Sequence, residues 1–255
     1  MSVLHAERAL TPEGWKSDVR VTIDDGAITV VEIDAAAQEG DERHAIMAPA
    51  AANLHSHAFQ RAMAGLAEVR GKGNDTFWTW RETMYRFALM MSPDDMEAVA
   101  AQLYVEMLEA GFAAVAEFHY VHNEPDGSPY AEPAEMAGRI LSAARRVGIG
   151  MTLLPVFYAH STFGGAAPSP EQRRFINDLP SFARLVDDCR QMVKANEGET
   201  VGVAPHSLRT VTPSELAELM SLVADGPIHI HAAEQIKEVE DCVASLGARD
   251  RKSVV

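Results

Sequence analysis

The 255-residue sequence is poor in cysteine, in basic residues relative to acidic ones, and in long apolar runs. Its two cysteines, Cys189 and Cys242, are too few for a disulfide framework and too far apart for a C-x-x-C metal or redox pair. We therefore expect reduced thiols in a cytoplasmic protein. The first residues lack the basic start and apolar run of a signal peptide, and no run of about 18 apolar residues follows, so we expect no membrane association.

Basic residues are outnumbered: 22 Lys and Arg face 37 Asp and Glu, a formal net charge of −15. Phosphate binding needs clustered Lys and Arg, so this balance argues against a nucleic-acid partner and against an anionic membrane surface. Apolar residues make up 47% of the chain, enough for a folded core. The length fits one α/β barrel or two smaller domains.

Two regions differ in pattern. Residues 1–47 alternate in hydrophobicity around an Asp25-Gly26 turn signal, which predicts a small β unit of the composite sandwich type. Residues 48–249 alternate apolar, β-branched runs with capped helices, which predicts parallel strands joined by crossover helices. The predicted strands are 46–54, 113–118, 150–158, 201–205 and 227–230.

Helix boundaries are marked by capping residues at the start and by glycines at the end. Ser92, Ser169 and Thr212 each precede a proline and first-turn acidic or amide residues, which predicts helix starts. The predicted helix ends are Gly111, Gly148, Gly226 and Gly247.

Polar side chains follow almost every predicted strand. Strand ends meet at one mouth in an α/β barrel, so five strands contributing to one site favour a barrel over a doubly wound sheet. No glycine-rich nucleotide motif follows the first strand, which excludes the usual nucleotide-binding sites. The strand-end residues are His55, His57, His119, Tyr120, His206, His231 and Glu234.

Two histidine pairs suggest a metal site. His55 and His57 point to the same side of a strand, and zinc accepts histidine nitrogen, although a chance His-x-His is the alternative. His229 and His231 also share a face, and spacing does not choose between them. Glu234 could move protons beside a metal, or could simply be a first-turn acid favoured by the helix dipole.

Several motifs, in the same order, resemble the deaminase branch of the amidohydrolase superfamily and, more narrowly, its formimidoylglutamate deiminases. They are NLHSHAFQR at 53–61, FWTWRE at 77–82, EFHYVH at 117–122, PHSLR at 205–209 and HAAE at 231–234. The resemblance implies a (β/α)8 TIM barrel of the metal-dependent hydrolase type beside the small β unit. It implies one Zn2+ or other divalent ion per site, and hydrolysis of N-formimino-L-glutamate to N-formyl-L-glutamate and ammonia by a metal-activated water.

The same resemblance implies roles for individual residues. His55, His57 and His231 would be metal ligands, and Glu234 would shuttle protons to the formimino nitrogen. Substrate contacts would come from Gln60, Arg81, Tyr120, His206 and Arg209. Two arginines suit a small-molecule dicarboxylate, because each guanidinium can hold a carboxylate with two hydrogen bonds; without the motifs each would be read as a surface charge.

The resemblance also implies a histidine ending a sixth strand and an aspartate ending an eighth. Neither follows Glu234, and only about five β/α units are predicted, a partial barrel. Residues 250–255 back-translate to a common sequencing-adapter text, so we expect a non-native tail after Arg249. We expect the chain as printed to be inactive and aggregation-prone, with weaker zinc binding, and the full-length enzyme to be able to form a homodimer.

Two alternatives remain open at this stage. The first is another amidohydrolase-superfamily deaminase acting on a guanidine, amidine or nucleobase; an uncharged base would need neither Arg81 nor Arg209. The second is a noncatalytic partial-barrel protein, which would bind no zinc.

Overall fold

The structure, a computed structural model, describes residues 1–67, 77–194, 198–222 and 226–250. It consists of two compact units, Met1–Ala51 and Ala52–Val255. Of the tail predicted to be non-native, residues 251–255 lie outside the described residues. No helix in the described ranges is both long enough and apolar enough to cross a membrane.

The first unit is a four-stranded sheet. Its strands are β1 (Ser2–Thr11), β2 (Gly14–Asp24), β3 (Ala27–Glu32) and β4 (Glu42–Met47), in the order β3-β2-β1-β4. The neighbours β1 and β2 are antiparallel, and β4 runs parallel to β1. Asp25 and Gly26 form the predicted two-residue turn between β2 and β3, with φ of 48° and 76°, as expected for a hairpin turn of this kind.

The second unit alternates strands and helices. Its elements are β5 (Ala51–Ser56), a 3-10 helix (Ala58–Met63), α1 (Phe77–Met90), α2 (Pro93–Glu109), β6 (Phe112–His119), α3 (Glu135–Val147), β7 (Gly150–Phe157), a 3-10 helix (Pro170–Gln172), α4 (Leu179–Met192), β8 (Glu199–Val201), β9 (Ala204–Pro205), α5 (Pro213–Ser221) and α6 (Ile236–Leu246).

The strands of this unit form one sheet in the order β5-β6-β7-β8, with β9 also paired to β7. The pairs β6–β7, β7–β8 and β7–β9 are parallel. Both faces of β7 are buried, since Leu153 and Leu154 point to opposite sides and each is 0% exposed. The α/β class predicted from the sequence is therefore confirmed, whereas closure into a barrel stays a prediction.

Three predicted strands differ in the structure. The strand expected at 46–54 is divided into β4 and β5 around Pro49, which has no N–H to donate to a sheet. The strand expected at 201–205 is divided into β8 and β9 around Gly202, where an added Cβ would collide with the carbonyl oxygen of Pro227. The strand expected at 227–230 is reduced to one isolated bridge, which joins Val203 to Ile228.

Most of the predicted helix boundaries are present. Capping boxes begin α2 at Ser92 and α5 at Thr212, and the box at Ser169 begins only the short 3-10 helix. Left-handed glycines end α3 and α6 at Gly148 and Gly247. The other two predicted ends are displaced: α2 ends at Glu109 and α5 at Ser221, before Gly111 and Gly226 respectively.

Candidate metal and substrate site

A cavity of about 220 Å³ lies among the residues that follow the strands of the second unit. Every site residue predicted from the sequence lines it: His55, His57, Gln60, Arg81, Tyr120, His206, Arg209, His231 and Glu234. Five further residues line it as well: Trp80, Met84, Tyr85, Tyr158 and Phe175. The fold thus brings the whole predicted set to one place, while the role of each residue stays a prediction.

Three imidazoles converge at one side of this cavity. His55 Nε2 lies 3.0 Å from His57 Nε2 and 3.1 Å from His231 Nε2. His57 Nδ1–H donates to the carbonyl oxygen of Phe118 at 2.9 Å. That bond fixes the tautomer, so the Nε2 lone pair of His57 points toward the other two rings. We call these three residues the histidine cluster.

The histidine cluster fits a divalent metal. Two ligands at 2.0–2.1 Å from one tetrahedral ion are separated by roughly 3.3 Å, close to the measured separations of the ring nitrogens. In the described part of the chain these are the residues of the His, Cys, Asp or Glu type whose ligand atoms gather within 4.8 Å of one another. His55 Nε2 faces two other ring nitrogens but carries at most one proton, so hydrogen bonds alone leave one of these contacts unsatisfied. A cation shared by the three nitrogens would satisfy all of them.

The protonation states of the cluster also suit ligation. Burial lowers the pKa of His57 to about 4 and that of His231 to about 2, and it lowers the pKa of His55 as well. All three rings are therefore neutral at pH 7, with a lone pair available for a metal. Of the two histidines that spacing left equivalent, His231 joins the cluster. His229 lies outside it, with its backbone N–H donating to Val203 at 3.2 Å.

The turn that follows His57 is held from behind by a buried acid. Glu117 of β6 is 1% exposed and accepts from the Ala58 backbone N–H at 2.5 Å. Tyr104 Oη–H also donates to it, at 3.3 Å. Burial raises the pKa of Glu117 to about 7. This contact fixes the backbone where β5, which carries His55, leads through His57 into the 3-10 helix that carries Gln60.

Gln60 and Tyr120 lie next to the cluster. The Gln60 amide donates to the Tyr120 hydroxyl at 2.9 Å, and the Tyr120 ring lies 5.2 Å from that of His57. His206 follows β9, and its ring is 4.9 Å from that of His231. Burial, with the neighbouring His231 and Arg209, keeps the pKa of His206 well below its ordinary value. His206 is therefore a neutral polar group at the cavity wall.

Arg209 and Glu234 form an ion pair in the cavity. Arg209 Nη2 lies 2.9 Å from Glu234 Oε2, and Arg209 Nε lies 3.4 Å from Glu238 Oε1. Glu238 also accepts from the Glu234 backbone N–H at 3.1 Å. Because its side chain is only 3% exposed, burial raises the pKa of Glu238. The predicted proton shuttle and a predicted substrate arginine therefore share one network.

Backbone strain lies between the cluster and this network. Ala233 has φ of 56°, in the left-handed region that L-residues other than Asn and Asp rarely adopt. It connects His231 to Glu234. Such strain is typical of functional sites, where it sets the direction of neighbouring side chains.

Two tyrosines of the cavity were not selected from the sequence. Tyr85 is four residues after Arg81 on α1, so both lie on one helix face, and the Arg81 guanidinium sits 5.5 Å from the Tyr85 ring centre. Tyr158 comes directly after β7, where the strand-end rule could have found it. His119 and His122, which flank Tyr120 in the EFHYVH motif, are buried and do not line this cavity.

Family comparisons agree with this geometry. Residues 46–253 match the Amidohydrolase family, and residues 1–45 match the N-terminal domain of formimidoylglutamate deiminase HutF. The formimidoylglutamate deiminase of Pseudomonas aeruginosa is 52% identical over 98% of this chain, which covers 55% of that protein. A 5-methylthioadenosine/S-adenosylhomocysteine deaminase of Natronomonas pharaonis is 27% identical over 95% of this chain, which covers 51% of it. The chain thus spans about half the length of the curated relatives it matches.

Solved structures show the same fold. An amidohydrolase from Brucella melitensis superposes with a TM-score of 0.95 at 56% identity, over 99% of this chain and 56% of that one. Atrazine chlorohydrolase from Arthrobacter aurescens TC1, complexed with zinc, superposes with a TM-score of 0.76 at 16% identity, over 100% of this chain and 57% of that one.

Proposed function

We propose that this chain, which belongs to the amidohydrolase family, comes from an enzyme that hydrolyses N-formimino-L-glutamate to N-formyl-L-glutamate and ammonia in histidine degradation. One observation carries the proposal: three converging imidazoles and two arginines line the same cavity of about 220 Å³. The first group suits a divalent metal and the second suits a dicarboxylate. The 52% identity to the Pseudomonas aeruginosa deiminase supports the substrate.

Zinc is the metal we propose, held by His55, His57 and His231. When bound, it would supply Lewis-acid chemistry and lower the pKa of water, which is the usual contribution of a divalent ion in a hydrolase. The imidazoles prepare for it by staying neutral, and the Phe118 carbonyl orients His57.

The remaining residues bind substrate and move protons. Arg81 and Arg209 bind the two carboxylates, and a carboxylate of the substrate then competes with Glu234 for the Arg209 guanidinium. Glu234 released from that ion pair can take a proton and deliver it to the formimino nitrogen, which leaves as ammonia. The neutral His206 and the Gln60–Tyr120 pair contribute polar contacts without adding charge.

The arginines distinguish this substrate from a nucleobase. A nucleobase or 5′-methylthioadenosine carries no anion for a guanidinium, and the S-adenosylhomocysteine named for the relatives carries one carboxylate rather than two. In this chain Arg209 is 11% exposed and lies beside the predicted proton shuttle. The carboxylates of Glu234 and Glu238 balance this charge, and a substrate carboxylate would take the place of Glu234 beside it.

The test is ammonia release by zinc-loaded protein produced from the complete gene. We expect turnover of N-formimino-L-glutamate, no turnover of 5′-methylthioadenosine, and loss of turnover in His55→Ala. Deamination of the nucleoside, or turnover that survives removal of the metal, would contradict the proposal. The same assay applied to the 255-residue chain checks the prediction that it is inactive. The cytoplasmic location and the homodimer stay predictions.

A further inference from the structure

Gln172 lies behind the cavity and contacts two of the tyrosines that line it. It is 2% exposed and is the last residue of the short 3-10 helix Pro170–Gln172. Its Nε2 lies 2.7 Å from Tyr158 Oη and 3.2 Å from Tyr85 Oη, and its Oε1 lies 2.8 Å from the Ser169 backbone nitrogen. One amide therefore contacts both hydroxyls.

The orientation of this amide is fixed by chemistry. A backbone N–H can only donate, so the group facing Ser169 must be the Gln172 oxygen. The opposite end is then the NH2 group, which has two hydrogens and donates one to each tyrosine. Both tyrosine oxygens act as acceptors toward Gln172.

Each tyrosine therefore keeps its own hydroxyl proton for another acceptor. One hydroxyl can donate to the other, and the second proton still points elsewhere. Tyr85 and Tyr158 are 8% and 5% exposed, and both line the cavity. Burial raises the pKa of Tyr158, so that its hydroxyl remains a donor across the physiological range.

Positive charge lies beside these donors. The Arg81 guanidinium sits 5.5 Å from the Tyr85 ring centre, and the charges of Arg209 and Arg81 both act on the Tyr158 hydroxyl. We call Arg81, Tyr85, Tyr158 and Arg209 the Arg–Tyr wall. Neutral donors next to guanidinium groups favour an acceptor-only, negatively charged ligand, and a carboxylate is such a group.

We propose that Tyr85 and Tyr158, oriented by Gln172, supply a specificity-determining hydrogen bond to a carboxylate of the bound substrate, donated by one hydroxyl and supported by the other. Gln172 is a positioning residue, because it acts through the two tyrosines. The inference rests on the proposed function, which supplies a dicarboxylate. It adds that carboxylate recognition depends on donor direction as well as on charge. An amide in place of that carboxylate presents an NH2 group and should be rejected.

The direct test reverses the direction of the donors. In Gln172→Glu the side chain keeps its shape, but its carboxylate can only accept, so both hydroxyls turn to donate toward residue 172. Binding to zinc-loaded protein is measured by calorimetry with three probes: N-formyl-L-glutamate, its γ-amide and its α-amide. We expect Gln172→Glu to weaken the binding of N-formyl-L-glutamate at least tenfold and to weaken the binding of one of the amides much less. The amide that is spared identifies the carboxylate.

Matched phenylalanine variants separate the donors from general packing. Tyr85→Phe and Tyr158→Phe should each weaken the binding of N-formyl-L-glutamate three- to tenfold. The ratio of acid to amide affinity should fall by the same factor. The control is Tyr130→Phe, which removes a hydroxyl bonded to Arg174 away from the cavity lining and should leave binding unchanged. Zinc content, measured in every variant, should stay constant.

The outcomes distinguish the two proposals. Equal loss of acid and amide binding in Gln172→Glu, or unchanged binding in both phenylalanine variants, overturns the inference even if the enzyme turns over N-formimino-L-glutamate. Tyrosine-dependent binding of N-formyl-L-glutamate without turnover contradicts the proposed function and supports the inference. Protein that binds none of the probes contradicts both.

Discussion

The histidine cluster and the Arg–Tyr wall lie on the same cavity, and burial acts on them in opposite ways. In the cluster, burial lowers the pKa of His57 to about 4 and keeps the imidazole neutral, which a metal ligand requires. In the wall, arginine keeps its charge in proteins, so burial concentrates positive charge for an anion. The comparison teaches that residue type decides whether a desolvated site attracts a cation or an anion.

The two regions also differ in how they are supported. The cluster is fixed by local contacts, such as the bond from His57 to the Phe118 carbonyl, and by the Glu117 carboxylate behind the next residue. The two tyrosines of the wall are fixed by one long-range residue, Gln172, which bonds both from another segment, and Arg209 is held by the carboxylates of Glu234 and Glu238. A substitution in one region should therefore leave the function of the other intact, and the predictions below are tests of that separation.

The largest effect is expected from removing a cluster ligand. Zinc sites bind with about 10–16 kcal/mol shared among roughly four ligands, so His55→Ala should weaken zinc binding by roughly two to three orders of magnitude. Competition with a chromogenic chelator measures it. The matched control is His229→Ala, which removes an imidazole two residues from His231 but outside the cluster. Equal zinc loss in both variants would mean that the cluster is not the metal site.

The pH dependence of stability is expected to separate the two regions next. The folded pKa of His57 is about 4 and its ordinary value is 6.5, so the unfolded chain binds more protons between these values. In metal-free protein, the contribution of neutral His57 to the free energy of unfolding is fully present above pH 6.5. It should be lost as the pH decreases toward 4. The loss through His57 alone is on the order of 3 kcal/mol.

Urea unfolding of metal-free protein at several pH values checks this prediction. His57→Gln has no group that titrates at this position, so its stability should depend less on pH in the same window. An identical pH dependence in the two proteins would show that His57 is not held neutral by burial. Tyr158→Phe serves as the comparison from the wall and should leave the pH dependence unchanged.

A smaller effect is expected from the charge of the wall. A hydrogen bond to a charged group contributes about 1.5–3 kcal/mol. Arg209→Lys keeps the charge but loses the guanidinium that can bind a carboxylate with two hydrogen bonds, so it should weaken the binding of N-formyl-L-glutamate by roughly 10-fold or more. Zinc affinity should not change. Arg184→Lys, at an exposed position on α4 where the guanidinium bonds Ser181, is the control and should bind normally. If Arg209→Lys weakened the binding of zinc as well as of the dicarboxylate, the cluster and the wall would not be independent.

The sequence predicted the cluster better than the wall for a physical reason. His55 and His57 share a strand face by their spacing, and strand ends meet at one edge, so local rules bring them together. The Gln172 contact depends on where three distant segments pack, and no local pattern encodes it. The strand positions were also predicted imperfectly, because Pro49 interrupts one run and Gly202 is required by the close approach of Pro227.

Tyr85 shows where the boundary of prediction lies. Its spacing from Arg81 places both on one face of α1, so the signal was available once the segment was taken as a helix. Whether that face of α1 turns toward the strand ends is decided by packing against distant segments. No local sequence pattern indicates that orientation. The predicted set of residues is therefore assembled by the fold, whereas the side chains that orient them were absent from the prediction.

The smallest effect is expected at Ala233, which lies between His231 of the cluster and Glu234, the ion-pair partner of Arg209 in the wall. Its φ of 56° costs an L-residue about 1 kcal/mol or more, and glycine would remove that strain. Glycine also makes the unfolded chain more flexible, which offsets about 0.5–1 kcal/mol. Ala233→Gly should therefore change the free energy of unfolding by less than about 1 kcal/mol, whereas the branched side chain of Ala233→Val should destabilise the protein by more than that. Urea unfolding with zinc and dicarboxylate titrations measures each variant. If Ala233→Gly weakens both ligands together, the strained turn couples the cluster to the wall, and the two regions act as one site rather than two.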